Sequence, residues 1–312
     1  MSVTDKHFYN EASSQKLGWE PDWFGAENFQ DDLVKKIRQF QREHGMTADG
    51  LCGPSTYRRI FTQRESNVTE LVVQPERDSK DEYFIIYNGE PYPIDHPTVL
   101  WDETKGLKCE YGTFSSYAGK PKRKITMFVN HWDVCLSASS CARVIAKRGI
   151  SVQFCIDNDG TIYQLHDMQH AAWQAGNRAV NNTSVGVEIS NAYYPKYQER
   201  YVKAGHGERP LVKGAEVHGT TLKPFLGFYP KQITALKALW RAVHNATDVP
   251  MECPTNDDGS LDTTVHPTVP SGEYKGIINH YNVTRRKIDC AGLMLDELLL
   301  QEKEEHESKK KN

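Results

Sequence analysis

The feature that most constrains this chain is an alternation of strand-like and helix-like segments between residues 108 and 300. The apolar segment KITMFVNH predicts a buried strand that ends at His131, and SASSCARVIAKRG predicts a helix that ends at Gly149. The next segment, SVQFCIDNDGTIYQL, predicts two strands joined by an Asn-Asp-Gly turn. Strands and helices in this order build a sheet with helices on its faces. We therefore predict an α/β domain with a mixed central β-sheet flanked by helices.

The second half of this region contributes another strand and a long helix. In TSVGVEIS, apolar residues alternate with small or polar ones, so Glu188 is expected on the strand face opposite Val187. YPKQITALKALWRAVHNAT has Pro230 in its first turn and apolar residues at helical spacing, which predicts a helix packed on the sheet. Two polar segments, about 195–228 and 250–275, are expected to be loops inserted into this frame.

Residues 1–63 carry a different pattern. FQDDLVKKIRQFQREHG repeats apolar residues at helical spacing before Gly45, and MTADGLCGPSTYRRIF adds an Asp-Gly turn and a second helix led by Pro54. We predict a small N-terminal helical module. Its FQ…G…DG…GP.T…I pattern resembles the peptidoglycan-binding module of many cell-wall hydrolases; a helical cap packed on the main domain is the alternative.

Two further segments complete the expected organisation. Residues 64–107 are assigned as a connecting region, with one strand-like run at 83–87 followed by an Asn-Gly turn. Residues 301–312, QEKEEHESKKKN, are assigned as a charged, frayed tail. The predicted division is therefore 1–63, 64–107, 108–300 and 301–312.

Charge and cysteine usage narrow the functional classes. The formal net charge is −3, so no strong field favours nucleic acid or an anionic membrane. No apolar run approaches the roughly 20 residues of a membrane span, and the N-terminal residues lack the pattern of a secretion signal. The seven cysteines are an odd number at low density, which favours free thiols in a protein made in the cytoplasm.

Three residues form a candidate metal site. His131 ends its predicted strand, His280 follows a short apolar pair in GIINHY, and Cys290 lies ten residues beyond. Two imidazoles and one thiolate are a suitable zinc set that leaves a fourth position for water. Spacing alone does not select them, because the chain has 12 histidines and seven cysteines.

Four ordered motifs strengthen this interpretation. FVNHW, SVQFCIDNDGTIYQLHD, HAAWQAGNRAVNNTSVGVEISN and NHYNVTRRKIDCAG together resemble the type 2 N-acetylmuramoyl-L-alanine amidases, a family that includes phage lysins and peptidoglycan recognition proteins. The resemblance covers about 125–190 and 276–295. It implies a mixed sheet flanked by helices, a Zn²⁺ ion in a surface groove, and hydrolysis of the amide between muramic acid and L-alanine.

The resemblance also implies roles for individual residues. His131 and His280 match the first two zinc ligands, and the third is Cys290 or Asp289, with Cys290 favoured because a thiolate is the softer ligand. Glu188 matches the glutamate that transfers protons, and Lys287 is expected to stabilise the oxyanion. Contacts with the muropeptide are expected for Trp173 and Asn177, for which a purely structural role is the alternative.

The function predicted from the sequence is zinc-dependent cleavage of peptidoglycan by an amidase. The expected setting is a phage endolysin that is made in the cytoplasm and reaches the cell wall after holin-type release. The alternatives are a bacterial amidase that processes muropeptides and a recognition protein that binds peptidoglycan without cleaving it.

Overall fold

The computed structural model describes residues 3–67 and 82–311. Residues 68–81 of the predicted connecting region, like 1–2 and 312, lie outside the described residues. The α-helices are α1 (Val3–Leu17), α2 (Asp31–Glu43), α3 (Pro54–Ser66), α4 (Ala138–Arg148), α5 (Arg178–Thr183), α6 (Gln198–Lys203), α7 (Pro230–Thr247) and α8 (Leu295–Lys311). Single 3-10 turns lie at Pro21–Phe24, Pro195–Tyr197 and His280–Asn282.

The strands are short, and most of the long ones belong to one sheet. They are β1 (Phe84–Tyr87), β2 (Glu90–Pro93), β3 (Thr98–Leu100), β4 (Phe114–Ser115), β5 (Met127–Trp132), β6 (Phe154–Ile156), β7 (Ile162–Gln164), β8 (Ala171–Ala172), β9 (Ser184–Ile189), β10 (Leu211–Val212), β11 (Glu216–Val217), β12 (Thr220–Thr221), β13 (Phe225–Leu226) and β14 (Gly276–Asn279).

The central sheet is mixed and has six strands in the order β14-β5-β9-β6-β7-β3. The first four strands run parallel, and β6 and β7 form an antiparallel hairpin around the predicted turn. Helices cover both faces of the sheet. The predicted fold class, a mixed central sheet flanked by helices with an N-terminal helical module, is therefore confirmed.

Alternating side chains of β6 show how the two faces are filled. Phe154 and Ile156 pack in the cluster that contains Leu239 and Trp240 of α7. Cys155, between them in sequence, packs in a second cluster with Val144 of α4. Because successive side chains of a strand point to opposite faces, α7 and α4 lie on opposite sides of the sheet.

The N-terminal module packs directly on α4. Leu33 and Ile37 of α2, both fully buried, belong to the same apolar cluster as Val144 and Ile145 of α4. On α3, Thr62 donates a hydrogen bond to the Val134 carbonyl oxygen at 2.8 Å. The module and the sheet domain therefore share one continuous core.

Several elements depart from the sequence-based boundaries. Strand β3 belongs to the predicted connecting region, yet it pairs in parallel with β7 as an edge of the central sheet. The predicted loop at 195–228 contains α6 and the short strands β10–β13. Helix α8 continues to Lys311, and Glu302 forms salt bridges with Lys237 and Arg241 of α7. Charge alone suggested a frayed tail, but burial of Leu299 and these pairs attach the helix to α7.

Within 3–67 and 82–311, no helix combines the length and the apolar character needed to cross a membrane.

Candidate active site

The parallel pairing of β14 with β5 brings the two predicted histidine ligands together. His131 is the fifth residue of β5, and His280 directly follows β14, whose last residue pairs with Asn130. Since the carboxyl ends of neighbouring parallel strands meet at one edge of a sheet, both imidazoles reach the same place. Both side chains are buried.

Asp289 completes a compact group of three potential ligands. Its Oδ2 atom lies 2.9 Å from Nδ1 of His280 and 3.2 Å from Nδ1 of His131, and the two Nδ1 atoms are 2.8 Å apart. Each residue offers one donor atom, and the three atoms lie within 4.8 Å of one another. Nitrogen and carboxylate oxygen donors in this number suit a catalytic metal site with one open position.

The hydrogen bonding of His280 indicates that a cation fits this group. Its Nε2 lies 3.2 Å from the carbonyl oxygen of Ala175, and because a carbonyl oxygen can only accept, Nε2 carries the proton. In the neutral ring, Nδ1 then presents a lone pair towards Oδ2 of Asp289. Lone pairs of nitrogen and oxygen facing each other at 2.9 Å repel unless a proton or a metal ion lies between them.

The electrostatics of the group keep Asp289 negative. Burial alone raises the pKa of its carboxyl, but the adjacent rings of His280 and His131 and the nearby Lys287 outweigh burial and hold that pKa well below its usual range. Burial and the neighbouring His280 lower the pKa of His131, which favours the neutral, ligand form of its ring.

Cys290, the favoured third ligand in the sequence analysis, is placed elsewhere. Its side chain is fully buried in the apolar cluster that contains Tyr281 and Leu293. Burial raises the pKa of this thiol well above its usual range, which disfavours a thiolate. Adjacent side chains leave the backbone in different directions, so the chain delivers Asp289 to the histidines and Cys290 to the core. This arrangement corrects the preference for Cys290 and favours the alternative, Asp289.

Glu188 lies on the strand next to the candidate ligand His131. In the β5–β9 pairing it is opposite His131, so the two side chains leave the sheet on the same face. Glu188 is 8% exposed, and its Oε2 atom is buried without a hydrogen-bond partner among the described residues. An unpaired carboxylate oxygen next to the candidate ligands is available to bind a water molecule.

Lys287 lies two residues before Asp289, and both residues line a small cavity next to the candidate ligands. Its backbone carbonyl oxygen is 3.0 Å from Nε2 of His218, which donates to it. Burial lowers the pKa of the Lys287 amine, and Arg58 and Arg148 lower it further, whereas Asp289 raises it.

The two predicted substrate contacts differ in their surroundings. Trp173 is 40% exposed, and its indole N–H donates to Ser115 Oγ at 3.1 Å. The side chain of Asn177 is engaged within the protein. Its oxygen caps α5 at the backbone N–H groups of residues 179 and 180, and its amide nitrogen donates to the carbonyl oxygen of Pro270 at 2.9 Å.

Two residues that the sequence did not single out join elements next to the candidate site through hydrogen bonds. Asn130 donates to the Ile278 carbonyl oxygen at 2.9 Å and thereby joins β5 to β14 next to the histidines. Arg58, from α3 of the N-terminal module, donates to the Asp133 carbonyl oxygen at 3.0 Å. Nothing in a single sequence links an arginine at position 58 with a loop at position 133, because only folding brings them together.

His166 and His170 lie four residues apart, a spacing at which two histidines could share a metal ion, but their rings pack against an aromatic side chain. Both rings stack on Phe114, with centroid distances of 4.6 Å and 5.1 Å. Nδ1 of His170 also accepts a hydrogen bond from the backbone N–H of Tyr117.

Two histidines and a carboxylate at the end of parallel strands, next to a buried glutamate, suit metal-assisted hydrolysis. Comparison with known families agrees with this class. The family profile described as N-acetylmuramoyl-L-alanine amidase matches residues 121–290, more than half of the chain, and a profile for a peptidoglycan binding domain matches residues 15–60. The chain belongs to the N-acetylmuramoyl-L-alanine amidase family.

Solved structures with similarity to this chain include the following three. One is AmpDh3 from Pseudomonas aeruginosa in complex with anhydromuramic pentapeptide, at 18% identity and a TM-score of 0.34, covering 59% of this chain and 61% of that one, which is less than two thirds of its length. Another is the amidase LysC from Clostridium intestinale URNW, at 17% identity and a TM-score of 0.37, covering 66% and 97%. The endolysin LysCS from the same organism is 18% identical with a TM-score of 0.32, covering 61% and 86%. Among curated proteins, none matches this chain.

Proposed function

We propose that this protein is a zinc-dependent amidase that hydrolyses the bond between N-acetylmuramic acid and L-alanine in bacterial peptidoglycan. The observation that carries the proposal is the buried group of His131, His280 and Asp289, with donor atoms within 4.8 Å, in a chain of the amidase family. The group fits zinc because it offers two imidazole nitrogens and one carboxylate oxygen and leaves a fourth position open.

The residues around this group supply the remaining chemistry. A zinc ion held there would lower the pKa of a bound water towards 7 and polarise the scissile carbonyl group. Glu188, with one unpaired buried oxygen, would accept the proton of the attacking water and return it to the departing amine of L-alanine. The ammonium group of Lys287 would stabilise the negative charge that develops on the carbonyl oxygen.

We further propose how the rest of the chain serves this reaction. Trp173 would contact the muropeptide through the exposed part of its side chain. Asn177 would have an indirect role: its side-chain amide holds the start of α5 against the segment 250–275 by donating to the Pro270 carbonyl oxygen. We propose the division into 1–63, 64–107, 108–300 and 301–312, in which the first part is a wall-binding module, β3 of the second joins the sheet of the third, and α8 continues from the third into the fourth.

For the biological setting we propose a phage endolysin that reaches the wall from the cytoplasm after holin-type release. The supporting observation is the match of residues 15–60 to a peptidoglycan binding domain on the same chain as the amidase domain. An enzyme that acts on an intact, insoluble wall benefits from a second binding unit, because linked units raise the effective concentration at the surface. An amidase that processes soluble muropeptides would gain little from it.

Hydrolysis of purified cell wall tests the proposed activity. We expect the wild-type protein to release fragments with new L-alanine amino termini, and we expect a chelator to abolish release and added zinc to restore it. Glu188→Gln should bind the wall as wild type does but release almost nothing. Wall binding without any release by the zinc-loaded wild type would instead identify a non-catalytic recognition protein and reject the proposal.

A further inference from the structure

A cavity of about 130 Å³ lies where the N-terminal module meets the amidase domain. Helix α3 of the module contributes Ser55, Arg58 and Arg59 to its wall, and the amidase domain contributes Lys287 and the candidate ligand Asp289. The cavity therefore adjoins the proposed zinc site, and the module forms one side of it.

Positive charge dominates this cavity. Its lining contains the cationic side chains of Arg58, Arg59, Arg286 and Lys287 and a single carboxylate, Asp289. That carboxylate is already engaged by the two histidines. Glu188 also interacts electrostatically with Arg58 and Lys287, but the four cations still outnumber these two carboxylates. A concave site with an excess of cations attracts an anionic group.

The guanidinium group of Arg58 has a donor that is unpaired among the described residues. Its side chain is only 9% exposed, and one guanidinium nitrogen donates to the Asp133 carbonyl oxygen. Its Nε is buried without a hydrogen-bond partner among the described residues. Buried guanidinium donors are normally satisfied, so an unpaired donor in a cavity wall indicates a place for an acceptor from outside the protein.

Arg59 reaches the same cavity and is held in position. Its Nε donates to the Tyr194 hydroxyl at 2.6 Å, and one terminal nitrogen donates to the Ser55 carbonyl oxygen at 3.1 Å. Tyr194 in turn donates to the carbonyl oxygen of His44 at 3.0 Å. These contacts orient the guanidinium group before any ligand arrives.

Helix α3 cannot move freely relative to the amidase domain. Glu65 accepts a hydrogen bond from Ser140 at 2.7 Å and pairs with Arg143 at 2.5 Å. Together with the Thr62 bond to Val134 and the shared apolar cluster, these contacts fix both arginines relative to the zinc site.

We propose that this cavity binds a carboxylate of the peptidoglycan stem peptide through Arg58 and Arg59, so that the N-terminal module completes the substrate site of the amidase domain. The inference rests on the proposed function. A carboxylate fits because its two oxygens in one plane match the donors of a guanidinium group. The stem peptide carries such groups on residues close to the scissile amide, and the cavity is next to the proposed site of cleavage.

Two soluble compounds test this assignment: N-acetylmuramoyl-L-alanyl-glutamate, and its analogue with both glutamate carboxylates converted to amides. For the full-length wild type with zinc, kcat/KM should favour the acid by about 10- to 100-fold, as expected for charge-assisted hydrogen bonds. Arg59→Gln should lose most of this preference, mainly through a higher KM for the acid. Arg58→Lys, which keeps the charge but not the planar donors, should lose part of it.

A control variant shows whether the loss of preference is specific to the cavity arginines, and a binding measurement shows whether the preference arises on binding. Arg42→Gln removes an exposed arginine of α2 in the same module and should keep the wild-type preference. Titration calorimetry with the metal-free full-length wild type should show tighter binding of the acid than of the amide, without any hydrolysis.

Two results would overturn the assignment: equal affinity of the wild type for acid and amide, or equal weakening of both by Arg59→Gln. If the zinc-loaded wild type releases nothing from purified cell wall but binds the acid in an Arg59-dependent manner, the amidase proposal fails and the carboxylate site stands.

Discussion

Asp289→Asn and Cys290→Ala change adjacent residues whose side chains lie in different places, so this pair of variants tests the proposed metal site directly. Asp289 contacts both histidines, whereas Cys290 is enclosed by apolar side chains. We expect Asp289→Asn to lose zinc, because a neutral amide replaces the only anionic donor of the group. We expect Cys290→Ala to keep zinc at one ion per protein.

The size of the effect follows from binding linkage. Changes to residues that only support metal ligands cost about 10- to 100-fold in metal affinity, so loss of the ligand itself should cost at least about 100-fold. Zinc at 100 times the wild-type Kd stabilises the folded protein by about 2.7 kcal/mol, and at a 100-fold weaker Kd by about 0.4 kcal/mol. At about 2 °C per kcal/mol for a chain of this size, zinc should raise Tm by about 5 °C in the wild type and about 1 °C in Asp289→Asn.

Scanning calorimetry with and without zinc, together with metal analysis after dialysis, measures both quantities. Cys290→Ala should lower Tm slightly with or without zinc, because it removes a packed side chain, and its gain on adding zinc should equal that of the wild type. The reasoning is refuted if Cys290→Ala loses the metal while Asp289→Asn retains it.

Three further outcomes are expected. Glu188→Gln should lower kcat on purified wall by about 10²- to 10⁴-fold with an unchanged zinc content, and a drop of less than about tenfold would argue against proton transfer by this residue. Leu33→Ala should cost about 2–5 kcal/mol and lower a single calorimetric transition, since module and amidase domain share a core; two transitions of which only one moves would contradict this. Burial lowers the pKa of His44 from 6.5 to about 4, so between these values the unfolded chain binds a proton that the folded chain does not. Stability should therefore fall as the pH drops through this range, by about 2 kcal/mol at pH 5. In urea unfolding at pH 7.5 and pH 5, His44→Gln should lack this loss, and an equal loss in both proteins would rule out His44 as its source.

Local patterns in the sequence were sufficient to predict most elements of the sheet domain. The helix that ends at Gly149 does so with that glycine at φ 66°, in the left-handed conformation that glycine adopts readily. The hairpin of β6 and β7 forms around the Asn-Asp-Gly segment as predicted. These features depend on neighbouring residues, which is why a single sequence contains them.

The choice between Asp289 and Cys290 as the third candidate ligand could not be made from the sequence. Asp289 and Cys290 are both plausible ligands by residue type, and their order in the chain does not say which one faces the histidines. The structure places Asp289 at the site and Cys290 in the core. Likewise, strand β3 is too short and too far from its partner in sequence to be recognised before its pairing with β7 is seen.

The sequence by itself determined the periodicity of the helices and strands, the two histidines at strand ends, and the motifs of an amidase. Only the tertiary structure decided that Asp289, and not Cys290, joins those histidines and that Arg58, from a separate sequence module, borders the site. The physical reason is that helix and strand patterns arise from neighbouring residues. Convergence of His131, His280 and Asp289 instead requires the pairing of β14 with β5 across about 150 residues, which depends on burial of the whole sheet.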